Sequence, residues 1–212
     1  MGAAAFRYNP AMPLSLQRYR LVAFDLDGVL VDSFECWRRL LNDTLEARAQ
    51  RPLSVEEFAL CWGQDVEADR RRFFPDWSVE HLIDHYTREF PRYMEWIQPM
   101  EGARATLQGL ERAGKRLAVA SNSPMAMVER LLQLASLRSH IQVAAGVDRV
   151  ANGKPAPDLI ELVLRESGVP REEACFVGDS EFDARAARAA GVHFIGFRRN
   201  GDDRIESLTE LS

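Results

Sequence analysis

The stretch Leu21-Val22-Ala23-Phe24-Asp25-Leu26-Asp27-Gly28-Val29-Leu30-Val31-Asp32-Ser33 decides how this chain is read. Its first four residues form a short, uninterrupted apolar run, which suits a strand covered on both faces. The run delivers Asp25 and Asp27 into a loop that carries Gly28. In extended backbone, residues i and i+2 share a side. Two carboxylates held that close repel each other unless a cation or a shared proton relieves them. Hard divalent cations such as Mg²⁺ take carboxylate and carbonyl oxygens and commonly work beside phosphate. The end of this strand is therefore a candidate Mg²⁺ site.

Outward from it, four more apolar runs follow, at Leu117–Ala120, Ile141–Ala145, Cys175–Val177 and Phe194–Phe197. Helical patterns lie between them. Residues 104–113 place Leu107 and Leu110 on one face and stop at Gly114, residues 158–166 are closed by Gly168, and the alanine-rich 183–190 ends at Gly191. Glycine just past a helix accepts the left-handed conformation that ends it. Alternation of this kind predicts an α/β fold, a doubly wound parallel five-stranded sheet of Rossmann-like type. From about Glu35 to Gln98 there are helical patterns and no strand: Trp37, Leu40, Leu41 and Leu45 share one helix face, and Pro52, Gly63, Pro75 and Pro91 punctuate the rest. The organisation expected is an N-terminal tail at 1–19, an α/β core at 20–34 and 99–212, and an inserted α-helical cap at 35–98.

The 212 residues are 46% apolar and 28% charged, with a net charge of -5, which gives no general attraction for nucleic acid or anionic lipid. No nucleic-acid or membrane partner is expected, and no apolar run approaches the ~20 residues of a membrane-spanning helix. Cys36, Cys61 and Cys175 are odd in number and far apart, which fits neither a zinc site nor a disulfide framework and points to a reducing, cytoplasmic setting. The segment before Arg20 lacks the apolar core of a signal peptide. Lys115 and Lys154 are the only lysines.

Three further polar clusters sit just past predicted strands: Ser121-Asn122-Ser123, the loop Asn152-Gly153-Lys154-Pro155-Ala156-Pro157-Asp158, and Gly178-Asp179-Ser180-Glu181-Phe182-Asp183. Open α/β sheets bind ligands outside the carboxyl ends of their strands. Each cluster alone has a plain structural role: Ser121 or Asp179 as a helix N-cap, Lys154 as a solvated side chain, Asp-x-Asp as turn polarity. Four such loops at one sheet edge bring carboxylates, a hydroxyl and an ammonium together.

In this order the four motifs resemble those of the haloacid dehalogenase superfamily, in the branch with a small helical cap after the first strand, and within it the phosphoglycolate phosphatases. The resemblance runs from about Leu21 to Phe197. It implies that Asp25 is the nucleophile, becoming an aspartyl phosphate, and that Asp27 is the general acid and then base. It implies Mg²⁺ held by Asp25, the backbone carbonyl of Asp27 and Asp179. Ser121 and the amide of Asn122 would bind phosphate oxygens, with the amides of Leu26 and Gly28 completing the cradle. Lys154 would neutralise the phosphoryl group and orient Asp25, and Asp183 would either tune the metal or anchor Lys154. The expected substrate is a small phosphorylated metabolite, phosphoglycolate-like, and the expected assembly is a monomer or homodimer.

The remaining features divide the alternatives. A haloacid dehalogenase lacks the second aspartate that stands here as Asp27, and a phosphonoacetaldehyde hydrolase needs a cap lysine, absent between Glu35 and Gln98. A phosphomutase of the β-phosphoglucomutase type carries Glu where this chain has Gly178, which favours hydrolysis. A catalytically silent binding protein with this fold would be expected to have lost one of the first two carboxylates. Asp32 and Ser33 read as the N-terminal signal of the first cap helix. Arg70-Arg71-Arg72 reads as a solvated helix face. Trp62-Gly63-Gln64 stands where related enzymes place a cap loop that enters the site, with Trp62 as core the alternative. His81, His85, His140 and His193 share no spacing.

Overall fold

The apolar run that opens the sequence argument becomes β1 (Leu21–Phe24), all four residues buried, in a computed structural model that describes residues 16–211. Five more strands join it: β4 (Arg116–Ala120), β5 (Val143–Ala145), β6 (Ala174–Gly178), β7 (His193–Phe197) and β8 (Asp203–Ile205). The order is β5-β4-β1-β6-β7-β8 and every pairing is parallel. The chain builds outward from β1 through β4 to β5, then returns to lay β6 on β1's other edge. That reversal leaves a crevice outside the carboxyl ends of β1, β4 and β6, the place where such sheets bind ligands.

Side chains of β1 alternate between two cores, as a strand's period of two requires. Val22 and Phe24 pack with Leu107 and Leu110 of α5 (Ala103–Arg112) and with Val128 and Leu131 of α6 (Met125–Leu134). Leu21 and Ala23 pack on the other face with Leu159 and Val163 of α7 (Asp158–Ser167) and Ala186, Ala187 and Ala190 of α8 (Glu181–Ala190). The small residues of α8 let that helix lie close to the sheet. Gly168 and Gly191 close α7 and α8 in the left-handed conformation.

Between β2 (Val31–Asp32) and β3 (Gln98–Pro99) the chain forms α1 (Phe34–Ala47), α2 (Val55–Ala59), α3 (Val66–Phe73), α4 (Val79–Glu89) and a 3₁₀ turn at Phe90–Trp96. β2 and β3 pair antiparallel, Val31 with Pro99 and Asp32 with Gln98, so the helical segment leaves and rejoins the sheet at one two-stranded ribbon. Ser54, Asp65 and Ser78 cap α2, α3 and α4 through their side-chain oxygens. Among the described residues no helix is long and apolar enough to cross a membrane. Of the tail expected at 1–19, residues 1–15 lie outside the described residues. Leu16 and Tyr19 are buried, and Lys115 Nζ donates to their carbonyls at 2.7 and 2.6 Å, tying the approach to β1 down.

The sheet has one strand more than the five expected. β8 lies parallel to β7 after only the five residues 198–202, with no crossover helix. Parallel neighbours usually need a dozen or more connecting residues, and Asp203-Arg204-Ile205 has one apolar residue, so nothing in the pattern announced a strand. Two glycines permit the tight return. A Cβ on Gly196 would lie 2.3 Å from the carbonyl oxygen of Arg199, and one on Gly201 would lie 2.8 Å from the amide of Gly196. Gly196→Ala is therefore expected to cost about 1–3 kcal/mol through overpacking against backbone, read as a lower midpoint in urea or thermal unfolding. An unchanged midpoint would show that the return loop relaxes freely.

Candidate active site

The sheet ladder carries straight into the site. The amide of Asp25 donates to the carbonyl of Val177 at 2.8 Å, so the first residue past β1 is still registered on β6. Its carboxylate is buried, and Oδ1 accepts from the amide of Leu26 at 2.7 Å and from Lys154 Nζ at 2.8 Å. Burial, then the charge of Asp183, pushes the Asp25 carboxyl well above the usual carboxylate range, with the Lys154 ammonium opposing. The chain then turns at Gly28, whose φ is +84°. A Cβ there would lie 2.2 Å from Asp179 Oδ2, so only glycine admits Asp179. The two amides expected to cradle phosphate are turned inward: that of Leu26 onto Asp25, that of Gly28 onto the carbonyl of Val31 at 2.8 Å.

Lys154, 1% exposed, stands between two acids, 2.8 Å from Asp25 Oδ1 and 2.7 Å from Asp183 Oδ1. Burial alone would lower its pKa; the carboxylates of Asp183 and Asp25 outweigh that and hold the ammonium above its ordinary value. Asn122 fixes the loop from below: its Oδ1 accepts the Lys154 amide at 2.7 Å, and its Nδ2 donates to the Lys154 carbonyl at 2.9 Å. The same Nδ2 donates to the carbonyl of Gly63 at 2.9 Å, joining the loop after β4 to the helical segment. The Asn122 side chain is thus structural, and only its backbone amide stays a candidate for phosphate.

Asp183 sits at the first turn of α8 in a capping box with Ser180, whose amide and hydroxyl donate to Asp183 Oδ2 at 3.0 and 2.6 Å. Its other oxygen serves Lys154. Gly178 makes the close approach possible, since a Cβ there would lie 2.4 Å from that of Asp183. Asp179 Oδ2 accepts from the indole of Trp62 at 3.0 Å, while its Oδ1 is buried with no hydrogen-bond partner among the described residues. Burial, then the charge of Asp183, pushes the Asp179 carboxyl up to about 7.

One oxygen from each of Asp25, Asp179 and Asp183 lies within 4.8 Å of the others. Three carboxylates therefore share the single ammonium of Lys154. A buried acceptor without a donor and an excess of negative charge suit a hard divalent cation with oxygen ligands. The residues present fit Mg²⁺.

Asp27 points elsewhere. Oδ1 accepts from Ser33 Oγ at 2.5 Å and Trp37 Nε1 at 2.9 Å, and Oδ2 from Ser121 Oγ at 3.2 Å and Ser123 Oγ at 2.8 Å. Its side chain is no part of the acidic trio. Ser33 occupies the N-cap position of α1, but its hydroxyl makes no cap bond and turns to Asp27 instead. The sequence places Trp37 on an apolar helix face and Ser123 in a polar cluster, but neither beside Asp27. Their signal is chemical: a largely buried indole N–H or hydroxyl needs an acceptor.

Asp25 and Asp27, but not Asp179 or Asp183, line a cavity of about 70 Å³. Asp25, Asp27, Ser121, Asn122 and Lys154 form one side; Leu41, Phe58, Trp62, Gln64, Asp69 and Tyr86 belong to the other. Trp62-Gly63-Gln64 does enter the site. Arg70 and Arg71 pair with Glu67, Arg72 donates to Cys61 Sγ, and none of the three lines the cavity. The four histidines lie outside it as well.

The family model for haloacid dehalogenase-like hydrolases matches residues 22–197. The chain belongs to that family. A phosphoglycolate phosphatase of Pseudomonas savastanoi pv. phaseolicola is 33% identical over 183 residues, covering 82% of this chain and 67% of the relative. The solved structure of CbbY from Rhodobacter sphaeroides in complex with phosphate is 29% identical, with a TM-score of 0.80 over 92% of this chain and 96% of that one. A haloacid dehalogenase superfamily hydrolase of subfamily IA, variant 1, from Geobacter sulfurreducens is 28% identical, with a TM-score of 0.69 over 92% and 95%. The hydrolase is thus an enzyme, grouped by its relatives with the family's phosphatases.

In this hydrolase the buried ammonium separates two acids, so removing it leaves them facing each other. Lys154→Met is expected to destabilise the metal-free protein by about 3–5 kcal/mol, the usual cost of stripping one partner from a buried charge pair. Urea unfolding in the presence of a chelator measures it. Wild-type stability in that variant would show that the fold does not depend on the lysine between Asp25 and Asp183.

Proposed function

We propose that this hydrolase releases inorganic phosphate from a small phosphate monoester, with Mg²⁺ bound, through an aspartyl phosphate on Asp25. The arrangement of Asp25 carries the reading. Its contacts among the described residues fall on Oδ1, which leaves Oδ2 to attack phosphorus as a buried, oriented nucleophile. Lys154 fixes that rotamer and presents positive charge to the phosphoryl oxygens, a point-charge role that suits ammonium. The Ser121 hydroxyl and the Asn122 amide are placed to take phosphate oxygens. Asp27 is the proton carrier: it gives a proton to the leaving oxygen and then accepts one from the attacking water. Three of its four donors are hydroxyls, which can also accept, so Asp27 can hold a proton without orphaning Ser33, Ser121 or Ser123.

Asp25, the Asp27 carbonyl and Asp179 would hold Mg²⁺, with Asp183 holding Lys154 and adding negative charge beside the ion. When bound, the ion supplies the positive charge against which carboxylate and phosphate can approach each other. Relatives named phosphoglycolate phosphatase support a substrate of about that size, as does the small cavity. Hydrolysis is favoured over phosphomutation because Gly178 leaves no space for the glutamate of the mutases: any Cβ there strikes Asp183.

Phosphate release from an aryl phosphate is expected to require Mg²⁺, and Asp25→Asn should reduce kcat by at least about 10³-fold. Turnover that survives chelation, or survives in that variant, would defeat the assignment. Mg²⁺ alone should also raise the wild-type melting temperature, by about 2.7 kcal/mol of stabilisation at a hundredfold excess over its Kd, and a chelator should reverse it. Asp179→Asn should lose most of that rise; an equal rise in the variant would place the ion elsewhere.

A further inference from the structure

The proposed reaction leaves one charged group of the cavity lining unused. Asp69, on α3, accepts hydrogen bonds from Gln64 Nε2 and from the Tyr86 hydroxyl at 3.0 Å, and all three residues line the cavity. Tyr86 has a single hydroxyl proton, and it is committed to Asp69, so the phenolic oxygen is left as an acceptor. Each carboxylate oxygen of Asp69 keeps capacity for a second donor. The surrounding wall is apolar, with Leu41, Phe58 and Val66.

The charge balance of this wall is one-sided. Lys154 is the one cation among the lining residues, and it is engaged by Asp25 and Asp183. Arg70 is turned to Glu67 and Arg72 to Cys61. A substrate whose far end is a carboxylate would meet Asp69 across a low-dielectric space whose lining offers no free cation, Arg72 standing behind the wall on Cys61, an arrangement that selects against it. A far end that donates hydrogen bonds would meet acceptors already oriented.

We propose that Asp69, positioned by Tyr86 and Gln64, is the specificity-determining residue of the cavity. It accepts hydrogen bonds from the non-phosphate end of the substrate and excludes carboxylates. The substrate class is then the phosphate monoester of a small polyol or amino alcohol, matching phosphoglycolate in size but not in charge. This rests on the phosphatase reading above. Burial pushes the Asp69 carboxyl up to about 6, with the hydrogen bonds from Gln64 and Tyr86 and the charge of Arg72 opposing and Asp65 adding to the rise. At pH 8 the group is charged.

The test compares kcat/KM at pH 8 with Mg²⁺ for glycerol phosphate, phosphoethanolamine, 2-phosphoglycolate and an aryl phosphate, in the wild type, Asp69→Asn and Tyr86→Phe. The wild type is expected to favour glycerol phosphate or phosphoethanolamine over 2-phosphoglycolate by about tenfold or more, the scale of one net hydrogen bond. Asp69→Asn should shrink that ratio about tenfold, with Tyr86→Phe between the two. Ratios within one preparation are independent of the fraction folded, and the wild-type ratio needs no variant at all. Preference of the wild type for 2-phosphoglycolate, or a ratio unmoved by Asp69→Asn, would overturn the inference while leaving the phosphatase reading intact. Failure to release phosphate from any of the four, the aryl phosphate included, would instead sink the phosphatase reading.

Discussion

A lysine ammonium closed in between two carboxylates is the constraint on which the rest of the site depends. Lys154 cannot leave Asp25 and Asp183 without stranding three charges, and its own loop is clamped on both sides of the peptide by Asn122. Each of these partners comes from a different strand end: Asp25 after β1, Asn122 after β4, Lys154 after β5, Asp183 after β6. The sheet order makes that possible, because β1 has β4 on one edge and β6 on the other. Fold and site are thus one arrangement. The parallel ladder supplies four loops at a common edge, and the ion pair locks them to each other.

Such a pair is poor evidence for stability by itself, since taking charges out of water offsets much of their attraction. What it secures here is geometry. Asp25 is pinned through one oxygen and the other is left for chemistry. The cost appears in the raised carboxyl pKa values of Asp25 and Asp179, which record burial first and the neighbouring charge of Asp183 second. A divalent ion or a protonated acid would each lower that cost, so an ion bound there would compete with protons.

Much of this was legible in the residues. The uninterrupted run before Asp25, the three other polar loops past apolar runs, and the glycines closing α7 and α8 all announce themselves locally. What stayed hidden depends on contacts distant in sequence. Asp27 gathers Ser33, Trp37, Ser121 and Ser123, and nothing in its own motif names the last two. Ser33 has the look of a helix cap, yet its hydroxyl donates to Asp27 and accepts no backbone N–H of α1. β8 has neither an apolar run nor a crossover, and exists because Gly196 and Gly201 let the chain fold back at van der Waals limits. Asp69 sits in Glu67-Ala68-Asp69-Arg70-Arg71-Arg72, which reads as a solvated face; only the arrival of Tyr86 from α4 shows that one member of that run looks inward.

Two indoles, those of Trp37 and Trp62, reach across from the helical segment and donate to Asp27 and Asp179. Indole emission responds to the electric field along the ring. The chain therefore carries a built-in optical gauge at each of two central acids, Asp27 and Asp179. An ion bound beside Asp179, or any separation of these helices from the sheet, would change what the rings sense, a readout that needs no added label.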